Sequence, residues 1–117
     1  MKPIVYSMND ALVVSLEGEF DAHVVAQLRD DFTAYSEAES NVLINMKDVY
    51  FIDSSGIGAL VFLFKRLVAK GLNLSICGVN GQPRDLFELL HLDKTVKCYP
   101  SEKDYILHRD DEPQRVA

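Results

Sequence analysis

Cysteine, basic charge and long apolar runs are all in short supply in this 117-residue chain, and each shortage removes a class of function. The two cysteines, Cys77 and Cys98, lie inside apolar runs without the close spacing of a zinc or dithiol redox motif, so they read as small buried thiols. Lys and Arg number 12 against 18 Asp and Glu, a net charge of −6, and the basic residues are dispersed along the chain. A nucleic-acid surface needs a basic stripe to displace counterions, and docking on anionic lipid needs a basic cluster. Neither partner fits this composition. No stretch approaches the length of a membrane span, and Met1 to Ser7 contains no apolar signal-like core, which leaves the cytoplasm as the expected location.

Catalytic and cofactor motifs are missing as well. The glycines at 56 and 58 are followed neither by the Gly-Lys-Ser/Thr ending of a phosphate-binding loop nor by the third glycine of a dinucleotide fold. No serine stands in a Gly-x-Ser-x-Gly elbow, and His23, His91 and His108 have no context that marks a general base, so a small serine hydrolase is a poor fit. Asp30-Asp31 and Asp110-Asp111-Glu112 lack metal-loop spacing and read as solvated faces. Neither a metal nor a cofactor is expected, and the chain does not read as an enzyme.

What is present is an ordinary folded domain. Hydrophobic residues make up 48% and charged residues 26%, and the length suits one domain with a single core. Ile4–Tyr6 and Ala11–Leu16, joined by Ser7-Met8-Asn9-Asp10, predict a hairpin. After Gly18-Glu19-Phe20, the spacing of Val24, Val25, Leu28, Phe32 and Tyr35 predicts a helix with Asp21 as its N-cap. Val42–Met46 is a short apolar run rich in branched residues, as a central strand covered on both faces requires. A second helix is expected from about Ser55 to Lys70, ended by Gly71, then a buried strand over Leu72–Val79. A third helix opens near Pro83 and carries Leu86, Phe87, Leu89, Leu90 and Leu92, followed by a strand over Thr95–Tyr99. A last helix starts at Ser101, whose Ser-x-x-Asp approximates a capping box. The order β-β-α-β-α-β-α-β-α implies an α/β fold: a mixed, mostly parallel sheet flanked by helices, over residues 1–109, with 110–117 as an acidic flexible tail.

The segment Asp53-Ser54-Ser55-Gly56-Ile57-Gly58 sits where an apolar strand gives way to the second helix. Glycines let another backbone approach closely, and a helix N-terminus favours negative charge, so a hydroxyl here can accept a phosphate without upsetting its own domain. The alternative is that Asp53-Ser54 only caps the helix. On the helix itself, Ile57, Leu60, Val61, Phe64, Leu67 and Val68 are expected to face the sheet. Phe62 and Leu63 are then left outside with Ser55, Ala59 and Arg66, either under a neighbouring helix or as an aromatic-anchored docking patch.

These residues, with Gly18-Glu19-Phe20-Asp21, Gly71 and the strand that ends near Gly78, resemble the bacterial anti-sigma factor antagonists of the STAS domain class over about residues 3 to 108. The resemblance implies a partner that is both an anti-sigma factor and an ATP-binding serine kinase. The unphosphorylated antagonist binds it and frees the sigma factor, phosphorylation ends binding, and a serine phosphatase acting on the phosphorylated form restores it. By position, Ser54 matches the phosphoacceptor, Ser55 the neighbouring Ser/Thr, and Asp21 the aspartate at the start of the first helix. The partner-binding surface is expected to include Asp21, Asp53, Ser55, Gly56, Gly58, Ala59, Phe62 and Arg66. Phe20 departs from the family pattern, where a smaller aliphatic residue is frequent. A STAS scaffold or ligand-sensing module without a phosphorylation switch is the alternative.

Overall fold

Two strands of unequal length, paired end to end, organise the structure, a computed structural model that describes residues 1–108. Strand β2 (Ala11–Phe20) has ten residues and β3 (Asn41–Ile52) has twelve, yet they pair in parallel from Ala11 opposite Asn41 to Phe20 opposite Ile52. The two surplus residues are absorbed as bulges in β3, one at Met46–Lys47 and one at Tyr50. Strand β1 (Ile4–Met8) adds antiparallel to β2 across a two-residue turn in which Asn9 takes the left-handed conformation. Strands β4 (Leu74–Cys77) and β5 (Lys97–Tyr99) continue the parallel sheet, giving the order β1-β2-β3-β4-β5. β3 is central, and Val42–Met46 is buried without interruption, as its composition requires.

The helices divide more finely than their periodicity suggests. The first is two helices, α1 (Ala22–Gln27) and α2 (Arg29–Glu37), separated at Leu28. The Leu28 N–H is shared between the carbonyls of Val24 and Val25 at 2.9 and 3.2 Å, and its side chain turns into the core. α1 has no fully buried residue whereas α2 buries Phe32 and Tyr35, so the break re-aims the apolar face. α3 (Ser54–Ala69) ends as expected, with Gly71 left-handed just past its C-cap. The helix that contains Pro83 is α4 (Gly81–Leu89). It stops before His91, which is left-handed and sends Leu92 into a separate turn, α5 (Leu92–Thr95). α6 (Glu102–His108) is capped by Ser101, whose Oγ accepts from the Asp104 N–H and donates to the Asp104 carboxylate. The expected tail at 110–117 lies outside the described residues.

α3 is rotated from the expected orientation. Gly56, Leu60, Leu63 and Leu67 are buried, and Leu63, expected outside, has no exposed area. Ile57, Val61, Phe64 and Val68 form a half-buried flank instead. The apolar arc of this helix is wide, and its buried centre lies roughly 70° from the expected one, with Leu60 and Leu67 common to both. Gly18 to Phe20, beyond the strand expected over Ala11–Leu16, belongs to β2, because the lengthened β3 gives it a partner up to Ile52.

Helices α1 to α5 pack with one apolar cluster, and α6 closes the smaller one formed by Ala11, Val13, Leu43, Cys77, Tyr99 and Tyr105. α6 is held by Glu102, which accepts from the Tyr6 hydroxyl and from Asn45 Nδ2. Burial pushes the Cys77 thiol up to about 12 and the Cys98 thiol up to about 11. Iodoacetamide at pH 8 is therefore expected to leave both thiols of the native protein unmodified over a time in which both react in urea. Full labelling of the native protein at the unfolded rate would contradict this burial.

Gly56 and Gly58 are expected to behave oppositely. A Cβ on Gly56 would stand 2.4 Å from the Phe20 carbonyl oxygen and 2.6 Å from Ile52 Cγ1, whereas one on Gly58 meets nothing within 4 Å. Urea unfolding should show Gly56→Ala losing about 2 kcal/mol or more through overpacking. Gly58→Ala should gain about 0.5–1 kcal/mol of helix propensity. Equal effects of the two would reject this packing.

Candidate functional site

Because Phe20 and Ile52 are register partners, the next residues, Asp21 and Asp53, leave adjacent parallel strands side by side. Their backbones are nearly identical, φ −110° and ψ −175° for Asp21 against φ −111° and ψ −173° for Asp53. Each caps the helix that follows: Asp21 Oδ1 accepts from the Val24 N–H and Asp53 Oδ1 from the Gly56 N–H, both at 3.0 Å. The second oxygen of Asp53 accepts from the Ala22 N–H at 3.1 Å. One carboxylate thus holds the N-termini of α1 and α3 together at the carboxyl ends of the strands, the usual functional edge of an open parallel sheet. On the other side of β3, which here outruns β4, the Gln82 amide accepts from the Ile52 N–H and donates to its carbonyl, both at 2.9 Å, in place of a neighbouring strand.

Ser54 is the first residue of α3. It is exposed, and its hydroxyl makes no hydrogen bond among the described residues. Ser55, half-buried, follows it. The aspartate cap, which the sequence offers as the alternative to a modification site, and an exposed hydroxyl beside it are both present. Gly56 is buried, and the close approach it permits is to Phe20 of its own chain, so its role in this structure is packing. Gly58 is exposed.

The flank of α3 towards α1 and α2 carries Ser55, Ala59, Phe62 and Arg66, spaced i, i+4, i+7, i+11. Phe62 is 39% exposed, and the Arg66 guanidinium lies over its ring, 5.0 Å from the centroid. Arg66 is about 18 Å along the helix from Ser54, so these residues make a strip and not a cluster. Beside the strip runs a groove of about 340 Å³ lined by Phe20, Val25, Leu28, Arg29, Phe32, Thr33, Ala59 and Phe62. On the opposite side, Asp21 borders a shallow depression with Glu17, Glu19 and Asp48.

Sequence reasoning missed the groove and also the exposed Tyr50 and Phe51, which precede the site on β3. Tyr50 is the bulged residue, and only the pairing register reveals it. Among the described residues there is no group of three or more His, Cys, Asp or Glu that could hold a metal ion, and no helix is long and apolar enough to cross a membrane.

Known proteins resemble this chain over most of its length. An anti-sigma F factor antagonist of Paenibacillus polymyxa is 30% identical over 94 residues, 78% of this chain and 80% of that protein. An anti-sigma-B factor antagonist of Bacillus subtilis is 29% identical over 79 residues, 68% of this chain and 72% of that one. Among solved structures, an anti-sigma factor antagonist from Mycobacterium paratuberculosis superposes with a TM-score of 0.84 at 25% identity, covering 93% of this chain and 94% of that chain. The Bacillus cell fate determinant SpoIIAA in its phosphorylated form shares the fold, with a TM-score of 0.71 at 21% identity over 92% of this chain and 99% of that chain. Residues 2–105 match the family model described as the STAS domain, a span that takes in the five strands, both aspartate caps and the groove, and the chain belongs to that family.

Proposed function

We propose that this chain is an anti-sigma factor antagonist in a cytoplasmic partner-switching pathway, a binding protein and kinase substrate with no catalysis of its own. Unphosphorylated, it binds an anti-sigma factor that is also an ATP-binding serine kinase, and so frees the sigma factor. Phosphorylation of Ser54 ends the complex, and a serine phosphatase restores it. The observation that carries this reading is the Ser54 hydroxyl: exposed, free of hydrogen bonds among the described residues, and at the first position of a 16-residue helix. The relatives' names as anti-sigma factor antagonists support the partner class.

The physics of the switch follows from that position. A phosphate adds about −1.5 to −2 charges. Next to Asp53 this is repulsive, but the N-terminus of α3 offsets it, with the Ser54 and Ser55 N–H groups ahead of the first intrahelical bonds. The domain tolerates the charge. A partner surface fitted to a neutral hydroxyl does not, and a loss of about 3–4 kcal/mol there is a factor of several hundred in affinity. Asp21, Asp53, Ser55, Gly58, Ala59, Phe62 and Arg66 form the contact strip, and Gly56 contributes by seating α3 on β2.

Ser54→Ala used as bait should retain an ATP-binding anti-sigma protein, and that protein with ATP should add one phosphate to the wild-type chain at Ser54, read by mass spectrometry. Ser54→Asp should bind it at least about 100-fold more weakly while its Tm stays within a few degrees of wild type. Equal binding by Ser54→Asp and wild type, or phosphate found elsewhere, would refute the switch.

A further inference from the structure

The groove between α3 and the α1–α2 pair is built as a pocket, and this feature does not depend on the phosphorylation switch. Its floor is Phe20, Leu28 and Phe32, almost wholly buried, and its walls are Val25, Ala59 and Phe62. A volume of about 340 Å³ lies at the lower end of the range of small-molecule sites, which combine an apolar lining with few polar groups. Here the polar lining is restricted to Arg29 and Thr33, and the Thr33 hydroxyl is already donated to the Arg29 carbonyl at 3.1 Å. That leaves the Arg29 guanidinium as the only charge on the lining. Arg66, outside the lining, is stacked on the ring of Phe62 and puts a second cation next to that wall residue. Neither guanidinium is within ion-pair distance of a carboxylate among the described residues, in a chain of net charge −6.

We propose that this groove binds a small amphipathic carboxylate, with its alkyl chain between Phe32 and Phe62 and its carboxylate on Arg29. Two guanidiniums without an ion pair among the described residues, one on the lining and one against Phe62, make this apolar groove complementary to an anion with a hydrophobic body. A purely apolar ligand leaves both cations unused, and a cationic one meets repulsion. A narrow alkyl chain suits a groove of about 340 Å³ better than a bulky ring system, and it would lie along the more exposed Phe62 wall, since the floor residues are exposed by only 0 to 4%. Ala59 and Phe62 are shared with the proposed partner strip, so an occupied groove presents a different surface beside Ser54.

Decanoate, kept below its micelle concentration, is titrated into the 15N-labelled full chain, with decanol and octanoate as comparisons. Decanoate should give saturable shifts confined to Val25, Leu28, Arg29, Phe32, Ala59 and Phe62. Octanoate should bind about tenfold more weakly, because each methylene contributes a factor of about three to four. Arg29→Gln, an exposed change, should weaken decanoate about tenfold and leave decanol unaffected. Failure to saturate by millimolar decanoate, or shifts scattered over the surface, would overturn the site. Decanol binding as tightly as decanoate would overturn the assignment of the anion to Arg29. Because no partner protein is involved, a negative result here leaves the Ser54 reading standing, and loss of the Ser54 reading leaves this test intact.

Discussion

The structure depends on one carboxylate. Asp53 accepts a hydrogen bond from its own helix through Gly56 and a second from a different helix through Ala22. A cap normally satisfies one helix and is worth about 1 kcal/mol. This one also fixes the distance between two helix N-termini, so the position of α3 relative to α1 is set at the site itself. The exposed hydroxyl of Ser54 inherits that rigidity, because it is the residue directly after the bridge.

The bridge requires the strands to end together, and that is the purpose served by the bulges of β3. Without the bulges, the two surplus residues of β3 would carry its end past Phe20, and Asp53 would not lie beside Asp21 and Ala22. Gln82 holds the outrun end of β3 where β4 has stopped, and Gly56 lets α3 come down onto the Phe20 carbonyl. Backbone hydrogen bonding, a side-chain amide and a missing Cβ thus converge on one corner. The result is a corner at which the exposed Ser54 stands over a packed core, and under the proposed function a change of charge there acts on the docked partner more than on that core.

Much of this was legible locally. Asp21 and Asp53 each precede an apolar period, so their capping roles follow from neighbours within three residues. The strand over Val42–Met46 and the Gly71 stop are equally local signals. The rest depended on distant partners. Leu63 was misplaced because α3 is apolar around most of its circumference, and periodicity cannot choose the centre of so wide an arc. The division at Leu28 reflects where α1 and α2 find core to bury, and the bulges exist only as a mismatch between two strands thirty residues apart. The groove joins Phe20 on β2, Leu28 and Phe32 around the α1–α2 break, and Phe62 on α3, so it had no signature in any single segment.

The most direct measurement is of the two amides that Asp53 binds. In Asp53→Ala, NMR should show the Gly56 and Ala22 amide protons shifting and losing exchange protection together, although they belong to different helices. In Asp21→Ala the effect should centre on Val24. If the Ala22 amide is unmoved by Asp53→Ala, the carboxylate does not bridge the helices, and the rigid presentation of Ser54 loses its physical basis.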